Sequence, residues 1–267
     1  MKSAPPQQSW LIRVSIVLGL ALAAYVGVCA VVYSFQRTLL FSPPDVRPRA
    51  GDTRVRVPNR DIAVFASTIP HDGPDALLYL GGNSEEVSYS LPGLRAAFPH
   101  TAIYALHYRS FSGTEGEPSE SSLFGDAIAL HDLIRERHSR IVVIGSSLGT
   151  GIATYLAGNR PVARLILVTP YDSLANVFAD KLRLLPVRLL MRDQFEAWRY
   201  ARQVSAPTLL ITAGDDEMIP HVRTTQLLAQ FRPGIAREVV VPGVSHNAIY
   251  QSATYKALLA DQAAGLK

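Results

Sequence analysis

Beyond residue 50 the chain alternates short apolar runs with longer amphipathic stretches. Seven runs predict strands: residues 62–68, 76–80, 101–107, 141–146, 165–168, 209–213 and 238–241. Ile141-Val142-Val143-Ile144 is apolar at successive positions, so both faces of that strand must be covered. Helices are predicted over 85–97, 123–137, 148–159, 222–231 and 247–259. Strands alternating with helices predict an α/β architecture: a mostly parallel central sheet with helices on both faces. Residues 173–204 interrupt the alternation and predict two short helices broken at Pro186. There Leu174, Val177, Phe178, Leu182 and Leu185 form an apolar stripe, with Lys181, Arg183, Arg188 and Arg192 interspersed. Two readings stay open: helices packed on the sheet, or a small helical cap over the site that also touches lipid.

The N-terminal pattern is different. Val14 to Phe35 carries no charged residue, and as a helix it spans roughly 33 Å, enough for a hydrocarbon core of about 30 Å. Lys2 and Arg13 precede it, Gln36 and Arg37 end it, and Tyr33 and Phe35 sit where an interfacial aromatic belt falls. The only candidate cleavage site, Val28-Cys29-Ala30, has a bulky residue where a signal peptidase needs a small one. One uncleaved transmembrane helix is therefore expected, in a bacterial inner membrane. Arg37, Arg47, Arg49 and Arg54 lean the topology toward a cytoplasmic C-terminal domain, but a long folded domain overrides such a bias, so the side stays open. The expected organisation is residues 1–50 as anchor (span about 14–35) and Pro-rich connector, then residues 51–267 as one catalytic domain.

Composition adds exclusions. Cys29 is the only cysteine, so no intrachain disulfide forms and no cysteine zinc site exists. The net charge of +4 comes from scattered arginines, with no basic run interleaved with aromatics, so no nucleic-acid partner is expected.

Candidate chemistry centres on Gly145-Ser146-Ser147-Leu148-Gly149, a G-x-S-x-G match. The pattern alone is weak, but here it lies between a buried strand and a helix. That sharp turn exposes a serine at a helix N-terminus, where developing negative charge is favoured. A serine hydroxyl needs a base to take its proton. Of seven histidines, His246 follows a strand and the Pro242-Gly243 turn, close to the C-terminus. His107 is a competitor for a place in the site; His71, His100, His131 and His138 are expected at the surface. Asp216, in the Gly214–Pro220 segment after a strand, is the expected acid, with Asp215 and Asp172 as alternatives and Glu217 read as a solvated turn residue. The order Ser147, Asp216, His246 is that of α/β-hydrolases. The oxyanion donors expected are the backbone N–H groups of Leu148 and, from the Gly81-Gly82-Asn83 loop, Asn83.

Further segments carry a family resemblance. Gln36-Arg37-Thr38-Leu39-Leu40-Phe41-Ser42-Pro43, Tyr108-Arg109-Ser110-Phe111-Ser112 with Gly116-Glu117-Pro118-Ser119, Tyr171-Asp172-Ser173-Leu174, Leu185-Pro186-Val187 and Gly214 to Pro220 resemble the membrane-anchored α/β-hydrolases grouped with lysophospholipases, depalmitoylating thioesterases and serine aminopeptidase-like enzymes. The resemblance runs from Gln36 to about Tyr250. Three departures stand out: Gly81 replaces a usual His, Ser110 a usual Gly, and His107 stands where Asp is common. The resemblance implies an α/β-hydrolase fold and cleavage of esters or thioesters of a small acyl substrate by Ser147, His246 and Asp216, with no cofactor and no metal. The anchor implies membrane lipid as the surrounding partner. A peptidase with the same three residues, and a catalytically silent fold serving as a membrane-binding module, are the alternatives.

Overall fold

The computed structural model describes residues 6–58, 62 and 64–265. Lys2, Ala63 of the expected first strand, and the other residues of the expected segments at 1–5, 59–61 and 266–267 lie outside the described residues. The chain opens with one 35-residue helix, α1 (Pro6–Leu40). Its segment Trp10–Leu40 is long and apolar enough to cross a membrane, and none of its most apolar window is buried in the protein. Ser42 to Pro48 is non-helical, as its three prolines dictate.

Among the described residues an eight-stranded sheet follows: β1 (Thr53–Val57), β2 (Val64–Ile69), β3 (Asp75–Leu80), β4 (Ala102–Leu106), β5 (Arg140–Ser146), β6 (Arg164–Val168), β7 (Thr208–Ala213) and β8 (Ala236–Val241). The spatial order is β1-β2-β4-β3-β5-β6-β7-β8. Only β2 runs antiparallel to its neighbours; the remaining pairs are parallel. This is the mostly parallel α/β sheet that the alternation predicts. β1 was not among the expected strands. Thr53-Arg54-Val55-Arg56-Val57 is a period-2 pattern on an edge, where only one face needs apolar residues.

Both faces are covered. Val143, Leu165, Leu167 and Leu210 pack under α3 (Glu120–Arg135) and α4 (Leu148–Asn159). Val142, Ile144, Ile166 and Leu209 point the other way, toward α2 (Leu91–Ala97) and α9 (Ala253–Ala264). Alternation across two buried faces is why the strands read as unbroken apolar runs. Each such side chain contributes about 1.5–3 kcal/mol.

Three expectations need correction. The helix expected over 85–97 is a single turn at Val87–Tyr89 followed by α2. Glu85 leaves the helical path because its carboxylate accepts from Gly82 N–H, Ser90 and Tyr79. The C-terminal helix likewise begins as a turn, Ala248–Gln251, and becomes α9 only after Ser252. The 173–204 segment holds three helices, not two: α5 (Leu174–Lys181), α6 (Val187–Leu190) and α7 (Ala197–Ala201). Between α6 and α7, Arg192 N–H donates to Gln36 and Gln194 N–H to Glu120, so these groups are unavailable for a helix. The last helix between β7 and β8 is α8 (His221–Leu228).

His131 and His138, expected at the surface, are buried. His131 is within hydrogen-bond distance of Pro161 O (3.1 Å), and His138 of Gly73 O (2.8 Å) and the Tyr104 hydroxyl (3.1 Å). Burial is tolerated because their ring nitrogens find partners.

Candidate active site

The site forms where β5 ends and α4 begins. Ser147 occupies that turn with φ +46° and ψ −113°, a left-handed conformation that a side-chain-bearing residue rarely adopts. Its amide is held by Val168 O (2.9 Å). The turn can be this tight because Gly149 lets α4 touch β3: a Cβ there would lie 2.1 Å from Leu80 O.

Ser147 Oγ lies 3.0 Å from His246 Nε2, and His246 Nδ1 lies 2.9 and 3.0 Å from the two Asp216 oxygens. A carboxylate only accepts, so Nδ1 carries the proton and Nε2 is left to accept from the serine. His246 is 3% exposed. Asp216 Oδ1 also accepts the N–H groups of Met218 (2.9 Å) and Ile219 (2.7 Å), which fixes the carboxylate. The loops are stitched together by backbone: Gly214 N–H to Val241 O and Asp215 N–H to Val244 O. The structure thus brings Ser147, His246 and Asp216 together from three distant stretches of sequence.

The alternatives lie elsewhere. Asp172 is buried against Arg223 (3.3 Å) and Asn176 (2.6 Å). Asp215 is exposed. His107 belongs to a buried polar cluster with Ser67 (2.6 Å) and Glu86 (3.7 Å), in which Ser67 donates to Asp52 (2.5 Å). Burial pushes the His107 imidazole down to about 4, so it is neutral.

Glu217 has a task that its expected role as a solvated turn residue lacks. Its carboxylate accepts His246 N–H at 3.0 Å, and this bond holds the carboxyl below its usual range. Tyr250, four residues past His246, pairs with Ser146 Oγ at 2.6 Å. Neither contact has a spacing signal; each depends on how the C-terminal loop folds back.

Leu148 opens α4, directly after Ser147. In the facing loop, a Cβ on Gly82 would come within 3.6 Å of Ser147 Cβ, so this loop borders the serine. Gly82 N–H is engaged by Glu85. The Asn83 side chain is turned away from catalysis: it donates to Leu40 O (2.8 Å) and accepts from Ser42 N–H (3.1 Å), binding the loop to the end of α1. Tyr108 braces the loop from below through Gly81 O (2.7 Å). Gly81, the departure from His, is packed: a Cβ would meet Val87 at 2.6 Å. Among the described residues no three His, Cys, Asp or Glu side chains gather as a metal site.

Sheet order, helix placement and a serine at a strand-to-helix turn define an α/β-hydrolase, and a model described as the alpha/beta hydrolase family matches residues 80–207: the chain belongs to that family. An uncharacterised protein of Mycobacterium tuberculosis (strain H37Rv) is 33% identical over 243 residues, covering 83% of this chain and 84% of that one. The lysophosphatidylserine lipase ABHD12 of Danio rerio is 28% identical over 189 residues, covering 60% of this chain and 49% of its own length. The Pyrococcus furiosus esterase Pf2001 shares the fold at a TM-score of 0.66 and 13% identity, over 83% of this chain and 95% of that one. Membership of this family supports hydrolase activity.

Proposed function

We propose that this protein is a membrane-anchored serine hydrolase that cleaves acyl esters or thioesters through an acyl-enzyme. The reading is carried by the unbroken hydrogen-bond run from Ser147 through His246 to Asp216. Ser147 Oγ attacks the acyl carbonyl while its proton passes to His246 Nε2. His246 then protonates the leaving oxygen or sulfur, and water, deprotonated by the same imidazole, releases the acid and restores the serine. Asp216 holds the imidazole in its tautomer and stabilises the imidazolium. The N–H groups of Leu148 and Asn83 are the oxyanion donors in this scheme; losing one such donor typically costs about 10²–10³ in rate.

The substrate class follows from α1. As the anchor in a bacterial inner membrane, it keeps the site beside lipid, and a single-chain acyl lipid fits both that location and the similarity to a lysophosphatidylserine lipase. An active-site fluorophosphonate tests the nucleophile: wild type labels and Ser147→Ala does not. Equal labelling of both removes Ser147 from the scheme, and no labelling of either favours a silent fold. Oxygen esters, thioesters and an aminoacyl amide offered side by side test the substrate class. Hydrolysis of the amide alone replaces it with a peptidase.

A further inference from the structure

One surface lies outside this chemistry. An apolar groove runs between the C-terminal half of α1 and helices α5 and α6 of the 173–204 segment, read here as a cap, and is lined chiefly by Val32, Leu39, Phe178, Leu185, Leu190 and Met191. It takes in about 590 Å³, counting its open mouth and the solvent in front of it. Its two walls are pinned by Gln36, whose amide donates to Leu190 O (3.0 Å) and accepts from Arg192 N–H (2.6 Å).

One inner edge of the groove reaches a loop that borders Ser147, and the neighbouring end of α5 is tied to a second such loop. On one side Leu40, which also lines the groove, accepts from Asn83 of the loop bordering the serine. On the other, Lys181 at the end of α5 donates to Glu217 O (3.4 Å), beside Asp216.

The outer end points into lipid. With Arg13 at one interface, about 20 residues of helix cross the hydrocarbon and place the other interface near Tyr33. Tyr25 then lies roughly 12 Å inside. Its hydroxyl donates to Leu184 O at 2.9 Å, so the cap tip sits at the same depth. Leu184 and Leu189 are 88% and 85% exposed, which suits hydrocarbon rather than water. Backbone at that depth needs internal partners, and several are present: Leu185 and Val187 donate within the segment, Leu184 O accepts from Tyr25, and Leu190 O accepts from Gln36.

We propose that this groove is an acyl-chain site, open to the bilayer at the cap tip, through which one fatty acyl chain of a membrane lipid reaches Ser147. The proposal rests on the reading of Ser147 as nucleophile for its catalytic consequence, but not for binding.

Two measurements on the full chain in phospholipid nanodiscs separate these. The first is hydrolysis of acetyl and dodecanoyl p-nitrophenyl esters. Filling the groove with Leu185→Trp, or independently Met191→Trp, is expected to lower the dodecanoyl-to-acetyl ratio of kcat/KM about tenfold or more. The fluorophosphonate label reports that each variant is folded. An unchanged ratio in both variants overturns the proposal. The second needs no catalysis. In a Cys29→Ala background, the thiol introduced by Met191→Cys is expected to react with a water-soluble maleimide several-fold more slowly once dodecanoate is added. No protection there overturns the groove as a chain site even if Ser147 is the nucleophile. Protection without ester hydrolysis or labelling upholds the groove and sinks the Ser147 reading.

Discussion

Glu217 accepts the backbone N–H of His246 at 3.0 Å, so the residue next to Asp216 fixes where His246 begins. Glu217 touches no reacting atom and acts through position. Glu217→Ala is expected to lower kcat between about tenfold and 100-fold, since small misplacements of a base are costly. Glu217→Gln keeps an acceptor oxygen and should recover most of the rate. Loss in both variants alike would point instead to the charge.

Asn83 gives a second handle. Asn83→Ala keeps the backbone N–H but frees the loop from Leu40 O and Ser42 N–H. The expected result is a fall in kcat with little change in KM, up to about 100-fold if the donor swings away. A stability loss near 1 kcal/mol accompanies it, readable as a shift in Tm.

Arg37 makes a two-pronged ion pair with Asp193 (2.7 and 3.1 Å). The Asp193 side chain is 3% exposed and also accepts Glu120 N–H (2.9 Å). Arg37→Ala strands a buried carboxylate and is expected to destabilise by roughly 1–3 kcal/mol. Adding Asp193→Asn should return part of this, and a double-mutant cycle measured by thermal melts checks it.

His107 predicts an acid limb in stability. Its folded form stays neutral down to about 4, whereas in the unfolded chain it protonates near 6.5. Between these values the unfolded state binds more protons, so stability rises with pH across the window. The His107 contribution is fully present above about 6.5 and is lost progressively as pH falls toward 4. Melting wild type and His107→Gln from pH 7 to 4 tests this: the variant should show a shallower decline.

Gly149 bears on the fold itself. Gly149→Ala drives a methyl into the Leu80 carbonyl, a backbone atom with no room to yield. A loss above about 3 kcal/mol is expected, seen as failure to accumulate folded protein.

Most strands were legible because a buried parallel sheet makes short apolar runs, here bounded by turn residues and spaced by helical stretches. Thr53–Val57 escaped because two arginines dilute an edge strand. The convergence of Ser147, Asp216 and His246 was legible because each follows a strand on the same sheet edge, in a fixed chain order. Glu217, Tyr250 and the Asn83 side chain were not. Their partners are chosen by loop packing across 29, 104 and 43 residues, which no local periodicity encodes. The buried His131 and His138 escaped for a related reason: their partners are Pro161 O, Gly73 O and the Tyr104 hydroxyl, groups no sequence pattern singles out.

The end of α1 is bolted to the catalytic body rather than leashed to it. Arg37 grips Asp193, Gln36 grips the backbone at the end of α6, and Phe41 is buried against Phe195. Removing the chain up to residue 42 would therefore take away one wall of the groove along with the apolar helix. A cut near residue 30 keeps that wall. The body cannot swivel freely on its stem, so the groove keeps one standing depth and one bearing relative to the axis of α1.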